Sequence, residues 1–430
     1  MNKPLNIAIA GLGTVGAGTL KVLRRNAGLI EARCGRKINV IAVSSRDKGK
    51  DRGVDVSGMK WVSSASDLVK MPEVDLVVET IGGVDGVARS LVESALNAGK
   101  HVVTANKALI AHHGLELAKI AEKSGAMLAY EAAVAGGVPI IKGLREGLAA
   151  NRFHKVAGIL NGTCNFILTS MWNKHQDFAT VLAEAQRIGY AEADPAFDID
   201  GIDTAHKLAI ITSLAYGCLL NIDAVYVEGI RNISILDMEF ADQLGYVIKL
   251  LGISTHTSEG VLQRVHPCMV AKMSTIGRVS DAYNAVIVEG DAVGQVTFEG
   301  KGAGEGATAS SVVGDIIDIA RGGIYKPFTI PVAALEKLPV ATMDSLKASY
   351  YVRLAVVDKP GVLAAITSIF RDEGISMCSF LQNSRKPDET VQVVITTHET
   401  LELSMRNALK SIAALGSVIE PPHMIRIENL

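Results

Sequence analysis

Ile7-Ala8-Ile9-Ala10-Gly11-Leu12-Gly13-Thr14-Val15-Gly16 is the stretch on which the reading of this chain turns. Four apolar residues run directly into G-x-G-x-x-G, and an apolar helical pattern follows over 15–23. Strand, tight turn and helix in that order describe the opening unit of a dinucleotide-binding α/β domain. Each glycine meets a steric demand: Gly11 the turn, Gly13 close backbone approach to a pyrophosphate, Gly16 close helix–strand packing. The helix start, with Leu12, Thr14 and Val15 between and beside the glycines, offers backbone donors to the same phosphates. A plain glycine-rich turn satisfies the three letters as well; the strand before and the helix after favour the cofactor.

Outward from this stretch, strand-like runs recur at 40–43, 76–79, 101–104 and 127–130, with helical patterns at 87–98 and 115–123. That alternation predicts a doubly wound parallel sheet over residues 1–130. From Glu131 the texture changes. Gly136-Gly137-Val138-Pro139 breaks the repeat, and strand-like runs at 157–160, 285–289 and 294–299 suggest a second sheet. An α+β catalytic and dimerisation domain is expected over 131–320, its last helix, at about 303–320, returning to the cofactor domain. Residues 321–348, with Pro327, Pro331 and Pro339, read as a connector. Residues 349–430 show strands at 351–357, 376–384, 389–398 and 418–427 and helices at 362–373 and 400–414, a βαββαβ order.

Composition narrows the class. The 430 residues exceed one ordinary core, apolar residues make up 48 %, charged residues 20 %, and the net charge is −2. The charge is spread evenly, with no basic stripe for nucleic acid and no Lys/Arg cluster for anionic lipid, so a small-molecule partner is favoured. Five scattered cysteines without a C-x-x-C pair suggest buried, reduced thiols rather than disulfides or a zinc site. With no signal-peptide pattern at the N-terminus and no long apolar span, a cytoplasmic protein is expected.

Cofactor choice is decided where the second strand ends, here Val43-Ser44-Ser45-Arg46. The guanidinium of Arg46 and the two hydroxyls suit the 2′-phosphate of NADP; Asp47 next door leaves NAD open, and a solvated loop arginine fits the same letters. Thr104-Ala105-Asn106-Lys107 follows a sheet strand and therefore meets the ligand crevice of an open parallel sheet. Thr104 and Lys107 are candidate cofactor contacts, and Lys107 a candidate catalytic lysine, although lysines after strands are usually solvated. The densest acidic block lies between Gly189 and Lys207, with Glu192, Asp198, Asp200 and Asp203. Asp203 and Lys207 are four apart and share a helix face. Carboxylates keep a neighbouring lysine protonated, ready to act as an acid. A calcium loop fails on ligand order, and a solvated acidic cap fits the block equally well.

Taken together, G-x-G-x-x-G, T-A-N-K at 104–107, Y-E-A at 130–132, L-N-G-T at 160–163, G-Y-x-E-x-D-P at 189–195, D-x-x-G-x-D-x-x-x-K at 198–207 and G-x-G-A-G-x-x-x-T-A at 300–309 resemble homoserine dehydrogenase in order and spacing. The resemblance implies NAD(P)-dependent interconversion of L-aspartate 4-semialdehyde and L-homoserine. It implies Glu192, Asp203 and Asp198 as substrate-side carboxylates, Lys207 as the proton donor, and Lys107 and Gly304 at the nicotinamide end. It further implies a Na⁺- or K⁺-type site at Glu131 and the carbonyls of Val134, Gly136 and Val138. Glu299-Gly300-Lys301 departs from the family at a place where proline is common. Asp358-Lys359-Pro360-Gly361-Val362-Leu363 resembles the signature turn of an ACT domain, which implies amino-acid binding by Asp358, Gly361, Val362 and Leu363, threonine as effector, and a homodimer or homotetramer. Two other classes fit less well. A phosphoglycerate-type dehydrogenase would begin with a substrate domain and use a histidine, and a non-catalytic sensor would not need a proton donor. A bifunctional fusion to an aspartate kinase is not expected, as residues 1–6 run straight into the first strand.

Overall fold

The computed structural model describes residues 3–382 and 389–430. Its first sheet is built from β1 (Leu5–Ala10), β2 (Ile38–Ser44), β3 (Lys60–Val62), β4 (Leu76–Glu79), β5 (His101–Thr104) and β6 (Leu128–Ala129), all parallel, in the order β3-β2-β1-β4-β5-β6. Side chains of successive strand residues point to opposite faces. Ala8 and Ala10 therefore pack with Leu91, Val92 and Leu109 on one side, while Ile7 and Ile9 pack with Leu20, Leu23, Val312 and Ile316 on the other. The second face is completed from far along the chain. The Glu305–Ala320 helix returns to lie against the Thr14–Arg25 helix, with a Lys21–Glu305 ion pair at 2.6 Å.

A second, eleven-stranded sheet contains β7 (Phe153–Ile159), β8 (Val225–Val227), β9 (Tyr246–Thr257), β10 (Gly260–Ala271), β11 (Tyr283–Gly290), β12 (Gly294–Lys301), β13 (Lys347–Val357), β14 (Met377–Leu381), β15 (Thr390–Thr397), β16 (Thr400–Leu401) and β17 (His423–Glu428). Its main path runs β12-β11-β7-β9-β10-β17-β13-β15-β14. The C-terminal unit has the expected βαββαβ order, with helices at Val362–Asp372 and Glu402–Ala413. Its sheet is not separate, however: β17 pairs in parallel with β10 through Cys268 with Arg426, Met269 with Ile427 and Val270 with Glu428. Catalytic and C-terminal strands thus form one hydrogen-bonded surface.

Several expectations shift. The helix expected over 115–123 begins at Lys107 and ends at Ser124, and the final strand is shorter than 418–427. The strand expected over 376–384 is Met377–Leu381, residues 383 and 384 lying outside the described ones. The β9–β10 hairpin, twelve residues in each strand, was not anticipated, because Gln263, Arg264 and His266 interrupt its apolar pattern while being buried. All five cysteines are free thiols, but Cys378 is exposed, since β14 is the outer strand of the sheet. Among the described residues, no helix is long and apolar enough to cross a membrane.

One buried carboxylate ties the two halves of the large sheet together. Asp237, fully buried on the Ile235–Gln243 helix, accepts bonds from Arg353 Nε at 2.7 Å, Arg353 Nη2 at 3.2 Å and the Tyr351 hydroxyl at 3.1 Å, and lies 3.2 Å from His423 Nδ1. Burial by itself would raise its pKa; bonding to His423 and Arg353 holds it well below the carboxylate range. Removing one partner of a buried ion pair costs about 3–5 kcal/mol. Asp237→Asn should therefore lower the unfolding free energy by that order and separate the melt of the C-terminal unit from the rest. An unchanged single transition in calorimetry would show that this contact does not join the units.

Candidate active site

The cofactor end lies along the carboxyl edge of the first sheet. Gly11 has φ +94°, and a Cβ there would stand 2.6 Å from the Thr80 carbonyl oxygen. At Gly16 a Cβ would meet the Gly11 carbonyl oxygen at 1.9 Å. Gly13 differs, because no protein atom lies within 4 Å of where its Cβ would be. The first two glycines are required by the protein's own packing, whereas the space in front of Gly13, at the cap of the Thr14–Arg25 helix, is open. Leu12 is buried and Thr14 is exposed beside it. Arg46 is an exposed residue after β2. The loop that carries it is held by Arg52, which donates to Leu12 O at 3.1 Å and Ser45 Oγ at 3.2 Å and lies over Trp61. Sequence reading passed over Arg52, since its partners lie forty and seven residues away.

Thr104 and Lys107 are positioned by a second residue that sequence reading missed. Glu79 is fully buried at the end of β4. Its carboxylate accepts Thr104 Oγ1 at 2.5 Å and the amides of Ile81 at 2.7 Å and Gly82 at 3.0 Å. Thr104 Oγ1 in turn accepts the Asn106 amide at 3.0 Å. Asn106 caps the following helix through Leu109 N at 3.1 Å. An acid closing an otherwise apolar strand was the available signal. The caps make Lys107 the first residue of a helix with a fixed direction.

That direction leads to a buried carboxylate. Asp203 is 1 % exposed; its Oδ1 lies 2.8 Å from Lys107 Nζ, and its Oδ2 accepts Lys207 Nζ at 2.7 Å and Asn161 Nδ2 at 2.8 Å. Asn161 Nδ2 also donates to Asp198 Oδ1 at 2.8 Å, and Lys207 Nζ donates to the Leu160 carbonyl at 2.7 Å. Lys107 also lies 5.5 Å above the Phe197 ring, and the Glu192 charge reaches it. The structure therefore gathers Lys107, Asp198, Asp203 and Lys207 into one cluster, with the exposed Glu192 near Lys107. Asp200 stands apart, paired with Arg231. Both Asp203 oxygens face lysines, and each carboxylate oxygen can accept more than one bond. Asn161, quoted in a motif but given no role, is the link between the two aspartates.

The two lysines are electrostatically unlike. Burial, followed by repulsion from Lys107, pulls Lys207 below the usual lysine range, against the attraction of Asp203. Lys107 feels burial too, but the charge and hydrogen bond of the nearby Asp203 carboxylate hold its pKa above that range. Asp203 itself would be raised by burial, yet Lys207 and Lys107 keep it far below the ordinary value. The result is an ionised carboxylate gripping two ammonium groups, of which Lys207 yields a proton more readily. Lys207 uses two of its three donors on the Leu160 carbonyl and Asp203.

Gly304, at φ +108°, caps the returning Glu305–Ala320 helix near Gly302, whose close packing on Asn284 leaves no room for a side chain. Glu131, Val134, Gly136 and Val138 form one buried turn against this loop, with the Gly137 amide donating to Lys301 O at 3.0 Å. The Glu131 carboxylate accepts the amides of Ile141 at 2.9 Å and Lys142 at 2.8 Å, while Gly136 O accepts the Ser311 hydroxyl at 2.7 Å and Val138 O the Ile140 amide at 2.8 Å. Asp358, Gly361, Val362 and Leu363 lie in the C-terminal unit at the start of the Val362–Asp372 helix, where Gly361 has φ +92°.

Comparison with known proteins agrees with this layout. Residues 11–131 match the profile described as homoserine dehydrogenase, NAD binding domain, residues 139–317 that of homoserine dehydrogenase, and residues 350–416 that of the ACT domain. The homoserine dehydrogenases of Neisseria gonorrhoeae and Pseudomonas aeruginosa are each 44 % identical, the alignments covering 100 % of this chain and 99 % and 100 % of theirs. The crystal structure of a homoserine dehydrogenase from Thiobacillus denitrificans superposes with a TM-score of 0.94 at 45 % identity, covering 99 % of this chain and 98 % of that one. A hyperthermophilic archaeal homoserine dehydrogenase in complex with NADPH matches 76 % of this chain over its whole length, with a TM-score of 0.64 and 25 % identity.

The contrast among the glycines can be checked directly. Gly13→Ala should leave thermal stability nearly unchanged and weaken dinucleotide binding at least tenfold by fluorescence titration. Gly16→Ala should instead lose the fold's cooperative melt. Equal cofactor affinity for Gly13→Ala and wild type would remove Gly13 from the binding surface.

Proposed function

The chain belongs to the homoserine dehydrogenase family, and from that premise we propose that it reduces L-aspartate 4-semialdehyde to L-homoserine with NADPH, on the route to threonine, isoleucine and methionine. The observation that carries this reading is the Lys107–Asp203–Lys207 cluster at the carboxyl edge of a dinucleotide-binding sheet. A nicotinamide held along this sheet edge would supply the hydride for the aldehyde carbon. The third donor of Lys207 would protonate the aldehyde oxygen as charge develops on it. Asp203 and the Leu160 carbonyl hold that ammonium in place, and Lys107 adds positive charge beside the reacting group. Glu192 and Asp198 take the substrate ammonium. Arg46, with Ser44 and Ser45, selects the 2′-phosphate, with NAD as a weaker alternative. The NADPH complex of the archaeal relative supports that choice.

Regulation by threonine through the Asp358–Leu363 turn belongs to the same proposal. So does a homodimer or homotetramer, supported by the open edge of β14, where Met377 and Phe380 are exposed. A cytoplasmic setting is in keeping with the free thiols at Cys34, Cys164, Cys218 and Cys268. Lys207→Ala should reduce turnover by about 10²–10⁴-fold while cofactor affinity is retained. Turnover within a few-fold of wild type, followed at the nicotinamide absorbance, would assign the proton to another group.

A monovalent cation held by Glu131 and the carbonyls of Val134, Gly136 and Val138 completes the proposal. An all-oxygen set suits a hard ion, and carbonyls that already accept one bond retain a second lone pair. Charge gives the reason for such an ion: burial, reinforced by Asp315, pushes Glu131 up to about 7, and burial pushes Asp315 up to about 6. With a folded pKa above its unfolded value, Glu131 favours the fold at low pH, and that contribution is lost as pH rises from about 4.5 to about 7. In tetramethylammonium buffer, stability should fall across this window; NaCl or KCl should flatten the fall, and Glu131→Gln should reduce it to the part that Asp315 contributes. Indistinguishable curves in sodium and tetramethylammonium at equal ionic strength would refute the cation site.

A further inference from the structure

The ammonium of Lys107 meets two kinds of partner, the Asp203 carboxylate at 2.8 Å and the ring of Phe197, whose centroid is 5.5 Å from Nζ. That second distance is within the range of a cation–π attraction. Phe197 falls between the acidic motifs that end at Pro195 and begin at Asp198, and no role was read for it in the sequence. Its ring is exposed at the cleft and is held by what lies around it. It belongs to the single turn Ala196–Ile199, whose next residue, Asp198, is fixed by Asn161 Nδ2 at 2.8 Å and through its carbonyl by the Cys164 thiol at 3.2 Å. His206 packs on Phe197 with centroids 5.3 Å apart and planes at 81°, and His112 packs on His206 at 5.0 Å and 82°. Both are edge-to-face arrangements, the favourable geometry for aromatic pairs. His112 shares a helix with Lys107, and His206 adjoins Lys207 on the Ile202–Tyr216 helix. Three rings therefore link the elements that carry the two lysines. Burial, followed by the charge of His112, pushes His206 down to about 4, so its ring is neutral near pH 7 and adds no positive charge beside the ammonium groups.

We propose that Phe197 is a positioning residue for the reaction, its ring face holding the Lys107 ammonium in the cleft. The inference rests on the role proposed above for Lys107 and adds a residue that acts through that lysine. A long side chain loses rotamer freedom when its head is placed, so a placed lysine needs more than one contact to stay there. The kind of contact matters. A further carboxylate would hold the ammonium equally well but would cancel the positive charge that Lys107 brings to the reacting group. An aromatic ring attracts the cation through its quadrupole and leaves the net charge of the cleft unchanged. The ring also offers no acceptor for the proton. A leucine in its place would keep the apolar bulk against the lysine methylenes and lose the attraction, whereas a tyrosine would keep both.

Phe197→Leu and Phe197→Tyr, each alone and combined with Lys107→Met in the full-length protein, test this assignment, with dichroism melts verifying that every variant folds. Phe197→Leu should lower kcat for semialdehyde reduction about three- to tenfold while KM for NADPH stays at its wild-type value. Phe197→Tyr should restore kcat, and in the Lys107→Met background Phe197→Leu should lower turnover no further. A second readout needs no turnover: competitive acetylation followed at Lys107 by mass spectrometry should be several-fold faster in Phe197→Leu and normal in Phe197→Tyr. Where Lys107→Met leaves too little activity to compare, this labelling decides alone. The proposal is overturned if Phe197→Leu matches wild type in kcat or in labelling, if the leucine and tyrosine variants are equally impaired, or if the leucine effect persists undiminished without Lys107. Wild-type protein that labels as expected but reduces no semialdehyde would sink the proposed reaction and leave the Phe197 contact standing.

Discussion

Asp203 sits where three parts of the chain converge. Lys107 begins a helix of the cofactor domain, Lys207 stands one turn along from Asp203 on the Ile202–Tyr216 helix, and Asn161 follows β7 of the second sheet. A buried carboxylate is tolerable only when its charge is met by partners and hydrogen bonds. The partners must therefore come to it, and in doing so they fix the cofactor sheet against the catalytic helices. The same constraint sets the chemistry: two ammonium groups sharing one anion cannot hold their protons equally, and the more buried one becomes the better acid.

Buried charge also governs the joint between the catalytic strands and the C-terminal unit. Arg426 on β17 lies between Glu402, whose Oε2 is 2.9 Å from Nε, and Glu228, 2.9 Å from Nη1; Tyr350 adds a 2.9 Å bond to Glu402. Together with the Asp237 contacts, this makes the β10–β17 seam a polar interface inside a continuous sheet. Such an interface has a defined register, because displacing it by one residue would strand each of these ions without a partner. The C-terminal unit is thereby joined through one sheet to β10, β9 and β7.

The legibility of the site varied with how local its cause was. The glycine-rich turn, the T-A-N-K segment and the Asp203–Lys207 spacing are properties of a few consecutive residues, and the structure places them at a common edge. Glu79, Asn161 and Arg52 were not legible in the same way. Each acts on residues far away in the chain, and a lone acid, amide or arginine has many ordinary roles. The β9–β10 hairpin was obscured because Gln263, Arg264 and His266 look like surface residues until the rest of the sheet covers them. The two lysines that meet at Asp203 are likewise tertiary: the four-residue spacing shows Lys207 beside it, but Lys107 is nearly a hundred residues away.

Local letters alone determined the strand–helix alternation of the first sheet, the dinucleotide-binding turn and the C-terminal βαββαβ unit, since backbone sterics and hydrophobic periodicity operate within short windows. The family resemblance was likewise written in those letters. Tertiary structure alone decided that the two later units share one sheet with buried ions along its seam, and that Lys107 and Lys207 compete for one carboxylate. Those outcomes depend on which distant residues are brought into a low-dielectric interior together, and no window of sequence contains that information.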